Sequence, residues 1–207
     1  MPKLPHPNAS KFEPVPEGSH AAACCRIIDL GTQQTNFNGQ VAQKRQVILF
    51  FEVFCEERRT DGRPFTISKT FTWSMSEKAT LRQDLESWRG RKFAREDFGP
   101  NGFSLEALLG KPCLLTVMHE HKNGETYCKI SSITRLPKSM VVGGPEGETL
   151  FVWLEANEFD PAAFEKLSDR MKDKIRQSPE YQAVIQRLSP ASVRAAQAAE
   201  YHDDIPF

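Results

Sequence analysis

The sequence lacks the features that would place it in a membrane or in a disulfide-linked fold. No apolar run approaches the roughly 20 residues that cross a bilayer, and the opening stretch MPKLPHPNAS has no apolar signal segment. The five cysteines are odd in number and no two have C-x-x-C spacing. We therefore expect reduced core thiols in a cytoplasmic protein.

The common catalytic motifs are also missing. The sequence contains no P-loop, no G-x-S-x-G and no H-x-x-x-H pair. His119 and His121 share one face of a predicted strand, but no third metal ligand stands at a useful spacing. We therefore expect neither an enzyme nor a bound metal or cofactor.

The net charge is zero, yet the charged residues are unevenly distributed along the chain. Residues 1–140 carry 20 basic and 15 acidic residues, whereas residues 141–207 carry 7 and 12. A basic body followed by an acidic tail region is typical of a protein whose body meets phosphate and whose tail meets protein.

Apolar runs and alternation predict five strands, at residues 21–30, 46–55, 65–73, 113–121 and 126–135. Residues 31–45 are polar and are predicted to form a long functional loop around the turn pair Asn38-Gly39. A second such pair, Asn123-Gly124, predicts a hairpin between the last two strands. One further strand is expected within residues 149–154.

Helices are predicted after the third strand and near the C-terminus. Ser74 and Glu77 have capping-box spacing before a helix that Gly90 would end, and residues 105–109 form a short second helix. Asp160-Pro161 and Ser178-Pro179 each predict the start of a C-terminal helix. These last helices would pack on the body or pair between chains, which leaves a homo-oligomer open.

The order of elements is strand, long loop, strand, strand, helix, strand, turn, strand. It predicts a mainly β (α+β) fold, namely a five-stranded OB-fold barrel with C-terminal helices and a flexible acidic tail; a different small β-barrel is the alternative. The predicted divisions are a mobile Pro-rich arm (1–19), the OB-fold domain (20–155), the C-terminal helices (156–190), and a linker with an acidic tip (191–207).

An OB-fold binds oligonucleotides on strands 2 and 3 and on the loops between strands 1 and 2 and strands 4 and 5. Aromatic rings stack on bases there, and cations neutralise the phosphates. Some of the candidate side chains have a structural alternative, as core aromatics, as a snorkelling lysine or as the cations of a helix end. The predicted DNA-binding residues are Phe37, Lys44, Arg45, Phe50, Phe54, Lys69, Trp73, Arg91, Lys92, Lys122, Tyr127 and Lys129.

The last five residues form an acidic and apolar tip made of Asp203, Asp204, Ile205, Pro206 and Phe207. Pro206 removes a backbone donor, so the tip suits neither a helix nor a core. With the α-carboxylate on Phe207, it would suit capture by another protein, with the ring in an apolar pocket and the carboxylate held by a basic residue or by backbone N–H groups. The alternative is an ordinary frayed C-terminus. The string closely resembles the tail tip of bacterial single-stranded DNA-binding proteins.

Three segments of the body resemble a bacteriophage and prophage protein family that is described as single-stranded DNA-binding, with an OB-fold. They are DLGTQ (residues 29–33), LRQDLESWRGR (81–91) and KIRQSPEY (174–181). The resemblance spans most of residues 20–190 and, for a phage protein, implies the cytoplasm of a bacterial host.

Together these features predict a protein that binds single-stranded DNA without sequence preference and protects replication and recombination intermediates. Its tip would recruit replication and repair proteins of host or phage. Two alternatives remain open, a replisome adaptor that binds only protein and a single-stranded RNA binder.

Overall fold

A computed structural model of the protein describes residues 13–37, 39–99 and 102–188, with the backbone alone at Phe37. The predicted linker and tip (191–207) and the first part of the predicted arm (1–12) lie outside these residues. No helix of the described part is long and apolar enough to cross a membrane.

Six strands form one mainly antiparallel sheet, in the order β3-β2-β1-β4-β5. They are β1 (Gly18–Phe37), β2 (Gln40–Phe54), β3 (Phe65–Thr72), β4 (Pro112–Lys122), β5 (Glu125–Thr134) and β6 (Leu150–Val152). β6 pairs in parallel with the middle of β1. The predicted mainly β fold is confirmed. The described sheet is not closed into a barrel, because β3 and β5 approach within 8 Å at Cα but share no ladder.

The predicted long loop at residues 31–45 is wrong. β1 runs on to Phe37 and β2 already begins at Gln40, and every residue from Thr32 to Phe37 has a partner on β2. Gly39 has a φ of 79° and its N–H donates to the Asn36 side chain at 3.1 Å. Gly39 therefore lies in a tight turn between the two strands, and the polar segment is a paired ribbon.

The central strand β1 separates two apolar cores. Ile27 points into the first core, which fills the space between the sheet and α1 (Thr80–Arg89). Ile28 and Leu30 point the other way, into a second core with β6 and the C-terminal helices. The run at residues 21–30 is thus buried on both faces because each side carries its own layer.

The helix after β3 begins later than expected. α1 starts at Thr80 with Ala79 as its N-cap, so the predicted capping box at Ser74 and Glu77 is wrong. Ser74 instead uses its hydroxyl to accept from the backbone N–H of Ser76, which favours a turn over a helix start. The expected end at Gly90 is confirmed, with a φ of 72°.

Three short helices follow β6: α2 (Pro161–Glu165), α3 (Asp169–Arg176) and α4 (Pro179–Leu188). The carboxylate of Asp160 accepts from the N–H of Ala162 at 2.8 Å, as its position before Pro161 predicted. The first predicted helix is broken into two: α2 ends at Glu165, and α3 begins only after Ser168, whose backbone is extended (ψ 150°).

The start of α4 packs closely against the backbone of β1 at Gly31. A Cβ on Gly31 would lie 2.3 Å from the Ser178 hydroxyl oxygen, so only glycine fits there. Beside it, Glu180 accepts from the N–H and the hydroxyl of Thr32, at 2.8 and 2.6 Å. Burial alone would raise the pKa of Glu180, but these hydrogen bonds outweigh it and hold the pKa below its usual value.

Part of the predicted mobile arm (1–19) is described, from residue 13 onward. Val15 is buried in the first core, and its carbonyl oxygen lies 2.7 Å from His119 Nε2 on β4. Glu13 accepts from the N–H of Thr60 at 2.8 Å. The described part of the arm therefore packs on the sheet.

One buried ion pair joins β1, β2 and the segment after β6. The side chain of Asp29 is 1% exposed, and Arg45 Nε donates to its Oδ2 at 3.2 Å. The same carboxylate accepts from the N–H groups of Gly31 (2.8 Å) and Leu154 (3.4 Å). The Arg45 guanidinium also lies 5.2 Å from the ring centroid of Trp153.

Replacing Arg45 with alanine would leave the buried Asp29 carboxylate without its cation. We expect the free energy of unfolding to fall by about 2–4 kcal/mol in urea titrations, somewhat discounted because Arg45 is partly exposed. The matched control is Lys166→Ala, which breaks the surface ion pair with Glu148 and should cost less than about 1 kcal/mol. Equal stability of the two variants would contradict a structural role for Arg45.

Candidate nucleic-acid interface

A row of hydroxyl side chains lines the outer face of β3. They occupy every second position and are all exposed: Thr66, Ser68, Thr70 and Thr72. The neighbouring positions of β2 carry Glu52, Phe50, Ile48 and Gln46, in that order. This surface is polar at β3 and becomes apolar toward β1.

A cavity of about 530 Å³ occupies one end of this surface. Arg26 of β1, Phe50 of β2 and the hydroxyls of Thr66 and Ser68 line it. The turn between β2 and β3 closes it with Arg59 and Arg63. Three strands and one turn thus converge on a site with three guanidinium groups and one half-buried aromatic ring.

The acidic residues of this cavity are already engaged. Glu52 is buried and accepts from the N–H of Glu146 at 2.8 Å, while Glu146 accepts from Arg58 at 2.8 Å. The hydrogen bonds from Arg58 hold the pKa of Glu146 below its usual value. Both carboxylates therefore have partners apart from any ligand.

The arginines of the cavity retain excess positive charge. Arg59 and Arg63 share the single carboxylate of Asp61, at 3.3 and 2.7 Å. Hydrogen bonds from Arg63 lower the pKa of Asp61, so the three groups together carry one net positive charge. Arg26 is exposed and forms no ion pair within the described residues.

A second cavity, of about 410 Å³, lies at the other end of β3. Its cations are Lys44 and Lys78, both exposed, and none of the described residues that line it is acidic. Its hydroxyl groups belong to Thr70, Thr72, Ser74, Ser76 and Thr80. Because the hydroxyl row of β3 runs from one cavity into the other, we call the two together the outer groove.

The chemistry of the outer groove suits a chain of phosphates. Hydroxyl, ammonium and guanidinium groups all donate hydrogen bonds to phosphate oxygens without reading a base sequence. Aromatic stacking is limited, because Phe50 is only half-exposed and Phe71, which also lines the groove, is buried in the first core. The groove therefore favours contacts with the backbone over contacts with the bases.

Of the predicted DNA-binding residues, Lys44 and Phe50 lie in the outer groove. Phe54 is half-buried at the end of β2, beyond the groove. Only the backbone of Phe37 is described.

Three predicted DNA-binding residues have structural partners instead. Arg45 holds Asp29 as described above, and Lys69 Nζ lies 2.6 Å from Asp84 on α1. The Trp73 ring packs edge-on against Trp153 with centroids 4.9 Å apart. Trp73 shares its cavity with Glu155 and Glu158, whose charge would repel a phosphate.

The remaining predicted residues lie away from the outer groove. Arg91 binds Asp97 at 2.7 Å, whereas Lys92 is exposed. On the hairpin of β4 and β5, Tyr127 donates to Glu125 at 2.6 Å and Lys129 pairs with Glu120 at 3.0 Å. Lys122 is exposed on the same hairpin. The structure thus gathers only part of the predicted set.

Sequence reasoning missed four cations of the outer groove: Arg26, Arg59, Arg63 and Lys78. Arg26 carried a usable signal, as the lone cation in the apolar run at residues 21–30. The hydroxyl alternation of β3 was also visible, and it marked the side of the strand that lines the outer groove. The contribution of Arg59 and Arg63 depends on how the turn folds back over the strands, which the sequence does not reveal.

The cysteines carry no sign of reactivity in this structure. Burial raises the pKa of the Cys25 thiol to about 11 and the pKa of the Cys24 and Cys113 thiols still further. Among the described residues, no group of three or more His, Cys, Asp or Glu side chains is arranged to hold a metal ion.

Comparison with known proteins gives no assignment. No protein-family model matches this sequence, and no curated protein matches it significantly.

Two aromatic substitutions separate a ligand contact from a structural one. Phe50→Leu keeps apolar bulk against the second core but removes the ring, and we expect oligo(dT) affinity to fall by about 1 kcal/mol. Trp73→Leu should leave that affinity within about twofold while lowering the free energy of unfolding by about 2–3 kcal/mol. Fluorescence anisotropy with labelled oligo(dT) and urea titration measure the two effects. The reverse pattern would place the ligand at the Trp73 cavity.

Proposed function

We propose that the chain binds single-stranded DNA in the outer groove, without sequence preference and without catalysis. The observation that carries this proposal is the hydroxyl row of β3, flanked by the exposed cations Arg26, Lys44 and Lys78 and by the Phe50 ring. Binding would proceed by neutralisation of phosphates with release of counterions, assisted by stacking on Phe50.

We further propose that the sheet is a partly open OB-fold. The strand order β3-β2-β1-β4-β5, the helix between β3 and β4 and the approach of β3 to β5 support this assignment. The outer groove occupies the strand 2 and strand 3 surface that OB-folds use for oligonucleotides. The resemblance of three body segments to phage single-stranded DNA-binding proteins is in keeping with it.

The salt dependence of binding tests the groove. Each phosphate contact contributes about 0.7 to the slope of log affinity against log salt for a single strand. We expect Lys44→Gln and Lys78→Gln each to lower that slope by about 0.7, and the double variant by about 1.4. Anisotropy titrations with oligo(dT) over a salt series provide the measurement.

The matched control for these titrations is Lys138→Gln, which removes an exposed lysine outside the outer groove. It should leave the slope unchanged. Equal affinity for duplex and single-stranded DNA of the same length would contradict the proposal. Tighter binding to oligo(U) than to oligo(dT) would identify RNA as the ligand instead of DNA. If the protein bound neither oligo(dT) nor oligo(U), the remaining hypothesis would be an adaptor that binds only protein.

The acidic tip would recruit replication and repair enzymes to the bound strand. We expect deletion of residues 203–207 to abolish this recruitment. Affinity for oligo(dT) should stay unchanged or rise slightly, most visibly at low salt, because the tip carries negative charge. Pull-down of purified host enzymes measures recruitment, and a scrambled order of the same five residues is the control of equal charge. If the scrambled and deleted chains recruited these enzymes as well as the intact chain does, the tip would have no role in recruitment.

A further inference from the structure

A third cavity, of about 330 Å³, shares no residue with the outer groove. It opens between the last half of α1, the 3₁₀ turn at Leu105–Leu108 and the ends of β4 and β5. Its walls are apolar and include Leu85, Trp88, Phe93, Phe103, Leu108 and Leu136. Its size falls at the lower end of the roughly 300–1,000 Å³ range of ligand pockets. We call it the α1 pocket.

Three cations surround these apolar walls: Arg89, Lys111 and Arg135. Lys111 and Arg135 are exposed and form no ion pair within the described part of the chain. Arg89 is held by Asp97 at 2.7 Å through Nη2, while its Nη1 atom has no hydrogen-bond acceptor among the described groups. The pocket is therefore apolar inside and positively charged at its rim.

An occupant of this pocket needs a large apolar group next to negative charge. The segment at residues 203–207 supplies both, as two aspartates followed by Ile205, Pro206 and Phe207. The Phe207 ring matches the apolar walls, and the aspartates match the cationic rim. We propose that this segment docks into the α1 pocket of its own chain.

The length of chain between the two sites allows this docking. Asp203 follows Leu188, the last residue of α4, by 15 residues, which span at most about 50 Å when fully extended. A compact domain of this size has a radius of gyration of only about 16 Å. The covalent link also gives the segment an effective concentration on the order of millimolar, so a modest affinity suffices for high occupancy.

Docking would withhold the tip from partner enzymes until one of them competes for it. The same five residues would then serve two binding sites in turn, one internal and one external. This inference does not depend on DNA binding, because the α1 pocket and the outer groove share no residue.

Nuclear magnetic resonance of the full chain without DNA tests the docking directly. The three tryptophans give three indole N–H signals, and only Trp88 lines the α1 pocket. We expect Phe207→Ala to shift the Trp88 signal together with the amide signals of Phe103 and Leu136. The signals of Trp73, Thr66 and Thr70 should stay in place. Identical spectra of the two chains around the α1 pocket would overturn the proposal.

Charge reversal at the cationic rim of the α1 pocket provides a second test of the docking. Lys111→Glu and Arg135→Glu should each reproduce the shifts of Phe207→Ala, and Phe207→Ala should add nothing to either of them. The control Lys138→Glu should leave the Trp88 signal where it is. In addition, a peptide of residues 200–207 should bind the Phe207→Ala chain about tenfold more tightly than the intact chain, whose pocket is about nine-tenths occupied. Equal peptide affinity for both chains would contradict internal docking.

Dilution distinguishes docking of the segment within one chain from docking between two copies of the chain. Docking within one chain predicts shifts that do not change with protein concentration. Shifts that disappear on dilution, with a doubled mass in sedimentation at high concentration, would overturn the proposal in favour of a second copy. Shifts confined to Thr66, Ser68 and Thr70 would overturn it in favour of the outer groove.

Discussion

The buried carboxylate of Asp29 is the constraint on which the rest of this structure depends. It lies on the central strand, where burial would be costly without a cation, and Arg45 on β2 supplies that cation. The N–H groups of Gly31 and Leu154 complete its hydrogen bonds. One side chain thereby fixes the β1 and β2 ribbon and the segment that leads from β6 into the C-terminal helices.

The segment that Asp29 fixes divides the outer surface of the sheet into a covered part and an open part. Over β1 and part of β2, the helices α2–α4 cover an apolar patch and form the second core. Over β3 and the rest of β2, the surface stays open and polar and forms the outer groove. The half-buried Phe50 lies on the boundary, because it packs against the second core on one side and lines the groove on the other.

Local patterns predicted much of the fold but little of the candidate site. Alternation identified β2 and β3, and the pair Asn123-Gly124 identified the last hairpin, because both signals act between close neighbours in sequence. The partners of Arg45 and Lys69 were not visible, since Asp29 and Asp84 meet them only after the strands and α1 have packed. The sequence pattern of a cation beside aromatic residues is the same whether the cation faces a phosphate or a buried carboxylate. Only the folded structure distinguishes these two environments.

The bulge at Cys25 determines which side of the sheet residues 26–29 of β1 face. Cys24 is paired with Phe51 and Arg26 with Phe50, so Cys25 is the extra residue between two consecutive pairs. Before it, even-numbered residues face the first core; after it, Ile27 does. If Cys25 were instead paired with Phe50, Arg26 would lie opposite Leu49 and face the apolar interior, and Ile27 would face the outer side. The positive charge of the groove therefore depends on the register of β1 against β2 as much as on the composition of β1.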